Sequence, residues 1–140
     1  MASFIYGPLT RFEAIGSIDY DTDVFKISLH TSTYAPDQDA HDFFNDATNE
    51  VAATGGYTAG GATTTVTVAA YDGTNNRTVV TFGAVSWAAS TITARYAVCR
   101  KARGGASSAD ELVFVIDFVT DKSSSGGAFD ISASTITRQL

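Results

Sequence analysis

Hydrophobic and polar residues alternate along much of this chain, with the period of two that is typical of half-buried β-strands. In VFKISLH, the apolar side chains Phe25, Ile27 and Leu29 fall on one face, and polar side chains fall on the other. The stretches TTTVTVAAY, RTVVTF and STITARYAVCRK follow the same pattern, and FEAIGSI and AFDISASTIT follow it more weakly. In STITARYAVCRK, the residues predicted to share one face are Ile92, Ala94, Tyr96 and Val98. Each of these stretches is predicted to form a strand.

One further stretch, ELVFVIDFVT, is apolar on both of its faces. A strand of this kind is usually central in its sheet or covered by a second layer. Turn signals separate the predicted strands, above all YDGTNN, which predicts a hairpin, and the glycine-rich stretches RGGASSAD and DKSSSGGA. About eight short strands separated by turns predict an all-β fold: a single-domain, jelly-roll-like β-sandwich with one or two short helices.

The stretch PDQDAHDFFNDATNEVAATGGYTAGG, residues 36–61, interrupts this alternation. Asp37 or Asp39 could cap a helix, because a carboxylate there accepts a free amide of the first turn. The apolar residues that follow at roughly helical spacing are Phe43, Phe44, Ala47 and Val51. The sequence therefore predicts a short helix in this stretch, ended by the glycines Gly55 and Gly56.

Length and composition restrict the class of protein. The 140 residues are enough for one domain, residues 1–140, and 44% of them are hydrophobic. The net charge of −6 argues against nucleic acid or an anionic membrane as a partner. The first residues do not have the pattern of a signal peptide, and a single cysteine cannot form an internal disulfide. We therefore expect a soluble protein made in a cytoplasm.

The residues that could carry chemistry do not form a recognisable site. A row of acids could offer oxygen ligands to calcium: Asp37, Asp39 and Asp42. Their spacing does not match an EF-hand loop, although an irregular calcium site stays open. Zinc would need His30, His41 and Cys99, which lie on separate elements without paired spacing. With no phosphate-binding loop and no nucleophile motif, the sequence predicts no metal, no cofactor and no enzymatic activity.

Charge is unevenly distributed along the chain. Eight acids and one base lie between Asp19 and Glu50. A basic run without acids follows later, made up of Arg95, Arg100, Lys101 and Arg103. Two solvated faces would explain this distribution, and so would complementary patches that attract a neighbouring molecule.

Two stretches, YAPDQDAHDFFNDATNEVAATGGYTAGGATTTV and VSWAASTITARYAV, resemble a group of small virion proteins of tailed bacteriophages. The resemblance covers residues 34–98. Some members of that group are capsid cement, or decoration, proteins, which lock neighbouring major capsid protein subunits together from outside. The resemblance thus implies a structural protein on the exterior of a virion, made in the cytoplasm of a bacterial host, with the major capsid protein as its partner, and it implies no catalytic residues.

A cement protein must bridge subunits, so the sequence suggests a homodimer or another homo-oligomer that carries several capsid-binding faces. The first candidate contact is residues 1–9, interpreted as an N-terminal arm with the apolar anchors Phe4, Ile5, Tyr6 and Leu9. The second candidate contact is the basic run, which would face an acidic neighbour. An alternative function is a tail or receptor-binding module that recognises a glycan, for which the candidate aromatic residues are Tyr57, Tyr71 and Trp87.

Overall fold

A computed structural model describes residues 2–140, and its fold is an all-β sandwich, as the alternating pattern predicts. The described residues form ten strands, which in chain order are β1 (Phe4–Ile5), β2 (Phe25–His30), β3 (Ala62–Thr64), β4 (Val66–Val68), β5 (Arg77–Phe82), β6 (Val85–Ser90), β7 (Thr93–Lys101), β8 (Leu112–Ser123), β9 (Gly127–Ile131) and β10 (Ser134–Gln139). They also form one α-helix, α1 (Leu9–Ala14), and two 3-10 turns, at Phe44–Asp46 and Ser107–Ala109. No helix within residues 2–140 has the length and apolar character needed to cross a membrane.

The strands form three antiparallel sheets. The largest has five strands in the order β1-β8-β7-β2-β3, and it faces a three-stranded sheet (β10-β5-β4) and a two-stranded sheet (β6-β9). The hairpin predicted at YDGTNN is confirmed, because Asp72 and Arg77 exchange backbone hydrogen bonds where β4 leads into β5. The strands thus divide five, three and two, rather than into the two sheets of a regular eight-stranded jelly roll.

The main core lies between the large sheet and the two smaller ones. Phe25 of β2 and Phe114 of β8 both pack edge-to-face on Phe82 of β5, with ring centroids 5.6 and 5.1 Å apart. Trp87 of β6 and Phe129 of β9 extend this core under the two-stranded sheet. Edge-to-face pairs add roughly 1 kcal/mol each to the burial of their apolar area. Aromatic contacts therefore join all three sheets.

A second core covers the opposite face of the large sheet. Its residues from β7 and β8 include Tyr96, Val98, Leu112 and Val115. Tyr34 and Ala47 pack on them from residues 31–61, which we call the cover segment. The prediction that β8 is covered on both faces is therefore confirmed, since its residues contribute to both cores. The acidic, glycine-rich stretch of the sequence is the outer layer of this second core.

The strand predicted at FEAIGSI is wrong, the strand structure predicted at AFDISASTIT is divided in two, and the faces predicted within STITARYAVCRK are wrong. FEAIGSI forms α1 and the turn after it, because its apolar residue Phe12 is buried one helical turn after Leu9. AFDISASTIT forms two strands, β9 and β10. In STITARYAVCRK, Ala94 faces the main core whereas Tyr96 faces the second core, because the register of β7 against β8 shifts between them.

The helix predicted within residues 36–61 is also wrong. Only the single 3-10 turn Phe44–Asp46 forms there. Phe43 has an extended backbone and pairs with Glu111, and its ring contacts Phe12 in the main core. Phe44 packs into the second core instead. Adjacent phenylalanines that point into different cores require an extended backbone, because a helix turns consecutive side chains by only about 100°.

Candidate functional site

A carboxylate near the start of the cover segment, at residue 37, caps a turn of the backbone. The carboxylate of Asp37 accepts the amides of Asp39 and Ala40, both at 3.0 Å, and these hydrogen bonds lower the pKa of Asp37. The next residue, Gln38, accepts the amide of Gly7 and donates to the carbonyl oxygen of Ile5. Within residues 2–140, no three His, Cys, Asp or Glu side chains come together to hold a metal ion. Gln38, which lies within the row of acids, thus joins the cover segment to the N-terminal residues.

Ser28 and His30 form a hydrogen-bonded pair that the sequence pattern did not reveal, because it placed both on a polar, exposed face. Ser28 Oγ lies 2.9 Å from His30 Nε2, and His30 Nδ1 lies 2.8 Å from the carbonyl oxygen of Thr48. Both side chains are 0% exposed under the cover segment. A serine next to a histidine can act as a nucleophile only where a substrate reaches it. Here the pair bonds the sheet to the cover segment.

Tyrosine hydroxyls connect the second core to the other histidine. The hydroxyl of Tyr6 lies 2.8 Å from that of Tyr34, which lies 3.1 Å from His41 Nδ1. The rings of Tyr34 and His41 are stacked, with centroids 5.8 Å apart. Burial of Tyr34 raises its pKa to about 12, so its hydroxyl keeps its proton at neutral pH. The chain of hydroxyls runs from the buried N-terminal segment to the partly exposed His41.

Arg100, predicted as an exposed contact, is buried and holds the glycine-rich end of the cover segment. Its Nε lies 3.3 Å from Asp110, and its Nη1 donates to the carbonyl oxygen of Gly60 at 3.0 Å. The guanidinium also lies 3.7 Å from the centroid of the Phe44 ring. A planar guanidinium can bind a carboxylate, a carbonyl and an aromatic face together, which an ammonium cannot. This one side chain therefore joins three separate segments.

A second polar cluster fixes GGYTAGG. Glu50 accepts the hydroxyl of Tyr57 and the amide of Gly60, both at 2.6 Å, and the Tyr57 hydroxyl also accepts the amide of Leu29. The ring of Tyr57 packs against Trp87. Of the three aromatic residues predicted to bind a glycan, Tyr57 and Trp87 are therefore core residues, and Tyr71, at 54% exposure, is accessible.

The other bases of the basic run are also paired within the chain. Arg95 lies 2.9 Å from Asp117, Lys101 lies 2.8 Å from Asp23, and Arg103 lies 2.5 Å from Glu111. With Arg77 and Arg138, which pair with Asp72 and Glu13, six of the nine bases form ion pairs. The run therefore does not provide the free basic surface that the sequence suggested, and the unpaired charge of the described residues is mainly acidic.

The N-terminal residues differ from the predicted arm. Phe4 and Ile5 form β1 on the edge of the large sheet, and both are half-buried. Tyr6 and Leu9 are 0% exposed, Tyr6 in the second core and Leu9 in the main core. Their large apolar side chains stabilise the domain itself, which leaves Tyr6 and Leu9 with no surface for a partner.

Deleting residues 1–9 is therefore expected to abolish cooperative unfolding. Each buried large apolar side chain stabilises a fold by about 2–5 kcal/mol, and the deletion removes two of them together with β1. The measurement is thermal unfolding followed by circular dichroism. Deletion of Met1 and Ala2 is the control and should leave the transition in place. A cooperative transition near that of the wild type after the longer deletion would show that β1 is dispensable.

The exposed apolar residues are distributed over several elements. The larger of them are Ile15, Val24, Val68, Tyr71, Val119 and Leu140. A groove of about 600 Å³ lies between Val68, on the free edge of β4, and the loop of residues 16–21. Asp19 and Asp21, which form no salt bridge with a described residue, line its rim. Aliphatic side chains and acids thus share this part of the surface.

Val119 is both exposed and strained. Its φ is +70°, a left-handed conformation that β-branched residues rarely adopt, and its side chain is 68% exposed. The bulge in β8 next to β7 produces this conformation, and the carboxylate of Asp117 accepts the Val119 amide at 2.7 Å.

Replacing Val119 by asparagine is expected to stabilise the protein by about 1 kcal/mol, because asparagine tolerates positive φ. For a chain of this length, we expect the melting temperature to rise by about 3 °C. Scanning calorimetry measures the shift. Val24→Asn, at an exposed valine without positive φ, is the control and should not raise the melting temperature. An unchanged or lower value for Val119→Asn would mean that the backbone there is not strained.

Comparison with known proteins gives no relatives on which to base a function: no family model, no curated protein and no solved structure matches the chain.

Proposed function

We propose that this protein is a structural virion protein, which binds the outside of a phage capsid and cements neighbouring subunits of the major capsid protein. The resemblance of residues 34–98 to small phage virion proteins supports this function. Much of that stretch is the cover segment, which is fixed to the sandwich by hydrogen bonds. A domain whose outer layer is held so firmly suits a role in mechanical reinforcement.

The observation that carries the proposal is how the chain uses its polar side chains. His30, Glu50 and Arg100 are bonded inside the domain, where they hold the cover segment. The acidic, glycine-rich stretch of residues 36–61 therefore contributes to the stability of the fold. What the domain offers to other molecules is its surface, with acids and aliphatic side chains such as Ile15 and Val68. A surface of this kind supports a function in which the protein acts by binding another protein.

The distribution of charge indicates what the contacted surface of the capsid would carry. Asp19 and Asp21 are exposed and form no salt bridge with any of residues 2–140, so a partner that brings lysine or arginine between them would be attracted. Val68 and Ile18, which line the same groove, would contact apolar atoms beside such a base. The partner surface is therefore proposed to be basic and partly apolar.

Pairing of two copies belongs to the same proposal. A homodimer would present two identical capsid-binding faces, and the second contact would form at high effective concentration. Light scattering after size-exclusion chromatography would give a mass near twice the 14.7 kDa of the chain. A monomer at micromolar concentration would contradict the dimer and leave the capsid contact to be tested separately.

The experiment that tests the proposal is co-sedimentation with capsids of the encoding phage that were assembled without this protein. The wild-type protein should sediment with them. The double variant Ile15→Lys/Val68→Lys should bind at least about tenfold more weakly, because it adds positive charge in the groove at Val68 and next to it at Ile15, and removes two exposed aliphatic side chains. Ser125→Lys, at an exposed loop position, is the control and should bind normally. Failure of the wild type to bind would reject the function, whereas normal binding by the double variant would reject only this contact.

A further inference from the structure

The last strand, β10, lies at one edge of the three-stranded sheet and pairs only with β5. Backbone hydrogen bonds alternate in direction along an antiparallel strand, and Leu140, just after β10, donates its amide to Asn76 on the side of β5. The even-numbered residues of β10 therefore bond to β5, whereas Thr135, Thr137 and Gln139 direct their amides and carbonyl oxygens away from it. None of these outward backbone groups bonds to another described residue. We call this side of β10 the open edge.

The other edges of the sheets are protected against the addition of a strand. Gln38 bonds to the outer side of β1, and the ammonium of Lys122 bonds to the backbone of β9. Bulges with positive φ interrupt β6 at Ala89 and, beyond the end of β1, β8 at Val119. The remaining edge strands, β3 and β4, have only three residues each. Side-chain cover, lysine, bulges and short length are the means by which natural proteins protect strand edges.

The open edge has none of these protections. β10 has six residues, STITRQ, without lysine, proline or glycine, and its register against β5 is regular throughout. No residue of β10 has a positive φ. Its one charged side chain, that of Arg138, is bonded to Glu13 of α1. β10 therefore presents a regular row of unbonded amides and carbonyl oxygens, onto which a further strand can add.

We infer that the open edge pairs with the open edge of a second copy of this chain, so that the two three-stranded sheets join across a two-fold axis into one continuous sheet. Such an interface is isologous, because the same strand serves both copies. This inference rests on the homodimer of the proposed function and names the surface that forms it.

The sequence of β10 is complementary to itself in the antiparallel direction. With the two-fold axis at Ile136, Thr135 lies opposite Thr137 of the second copy, and both direct their backbone groups across the open edge. Ile136 then lies opposite Ile136 of the second copy, and Ser134 lies opposite Arg138. Like charges do not face each other, and cross-strand threonine pairs are stabilising. A shift of one residue would place core side chains on the solvent face, which restricts the register.

The chemistry of the open edge favours a second copy over the basic partner proposed for the groove at Val68. The outward side chains of β10, those of Thr135, Thr137 and Gln139, are exposed and uncharged, so they offer no acid to a basic surface. A second copy brings the same neutral side chains.

Apolar surface beside the open edge adds to the backbone bonds. A groove of about 220 Å³ lies between β1 and β10, and Ile5, Ile116 and Ile136 contribute to its lining. A strand added to β10 would cover part of this groove and remove apolar atoms from water.

Sedimentation equilibrium of the purified full chain, with no capsid present, measures the dissociation constant of the dimer. We expect the wild type to be dimeric at about 10 μM. Thr137→Pro should raise the dissociation constant at least about tenfold, because the pairing loses an outward amide in each copy and meets the proline ring. The bonds between β10 and β5 remain, since the amide of Thr137 does not take part in them.

Val68→Pro is the matched control for Thr137→Pro. Ala69 donates its amide to Val79 of β5, so the amide of Val68 points outward on the edge strand β4. This variant should leave the dissociation constant unchanged, and circular dichroism checks that both proline variants fold.

A pair of charge variants tests the antiparallel register. In Thr135→Lys/Thr137→Lys, each lysine lies opposite a lysine of the second copy, so the dissociation constant should rise at least about fivefold. In Thr135→Glu/Thr137→Lys, each glutamate lies opposite a lysine, so the dissociation constant should return to within about twofold of the wild-type value. If Thr137→Pro does not fold, these two variants decide.

The outcomes separate this inference from the proposed function. A dimer that persists unchanged in Thr137→Pro and in Thr135→Lys/Thr137→Lys would overturn the inference but leave the homodimer in place. A monomeric wild type would overturn the inference and the homodimer, while co-sedimentation still measures the capsid contact by itself. Loss of capsid binding by Thr137→Pro, with a monomeric wild type, would assign the open edge to the major capsid protein and overturn self-pairing.

Discussion

Replacing Gly61 by alanine is expected to destabilise the protein by more than about 3 kcal/mol, a large part of the roughly 5–15 kcal/mol that stabilises a typical domain. A Cβ atom at this position would lie 1.9 Å from the carbonyl oxygen of Ile27. That atom belongs to the backbone of β2, so it cannot move away as a flexible side chain would. Gly61 also has a φ of +79°, which alone costs alanine about 1–2 kcal/mol.

Gly16→Ala is the matched control for this prediction. Gly16 has a φ of +74°, close to that of Gly61, but no atom lies within 4 Å of the position of a Cβ. Its substitution should therefore cost only the conformational part, about 1–2 kcal/mol. Urea unfolding of both variants measures the two free energies. Equal losses would show that the cover segment can shift away from β2, contrary to the close contact described above.

Replacing Arg100 by methionine is expected to lower the free energy of unfolding by about 3–5 kcal/mol, the cost of breaking a buried ion pair by removing one partner. Methionine fills a volume similar to that of arginine, so the loss of unfolding free energy measures the polar contacts of Arg100 rather than its packing. Asp110 would keep a buried charge without its guanidinium, and the carbonyl oxygen of Gly60 would lose its donor. The glycine-rich end of the cover segment should detach before the sandwich unfolds, because Arg100 is its principal polar contact with β7.

Arg77→Met provides the comparison for Arg100→Met. Arg77 pairs with Asp72 over 3.6 Å at the hairpin, and both side chains are well exposed. Exposed pairs contribute about 0–1 kcal/mol, so this substitution should be nearly neutral. Urea unfolding curves of the two variants give the difference directly. A loss for Arg100→Met that is no larger than that for Arg77→Met would mean that the buried cluster does not hold the cover segment.

The alternating pattern was sufficient to predict the fold class, because a sandwich buries one face of each strand and the period of two is visible in single residues. It also identified β8, whose apolar residues on both faces serve two cores. It failed at α1, where Leu9 and Phe12 are three residues apart and fit one helical turn. Such a short helix contains too few apolar positions to be distinguished from a strand.

The role of the cover segment could not be predicted from local sequence. The acids and glycines of residues 36–61 suggested a capped helix, but Asp37 caps a turn and Gly61 passes close to β2. The basic run looked like an exposed patch because it contains four bases and no acid between Arg95 and Arg103. The partner of Arg100, Asp110, lies beyond the loop that follows β7 and its acceptor Gly60 lies 40 residues away, so only the tertiary structure shows that Arg100 is buried.

Cryo-electron microscopy of capsids tests the proposed function most directly. Capsids of the phage proposed to encode this protein, assembled without it, would be imaged before and after incubation with the purified chain. A cement protein should add density on the outer surface that fits the sandwich and contacts two neighbouring subunits of the major capsid protein. Capsids that are identical before and after incubation, or density confined to the tail, would contradict the proposed function.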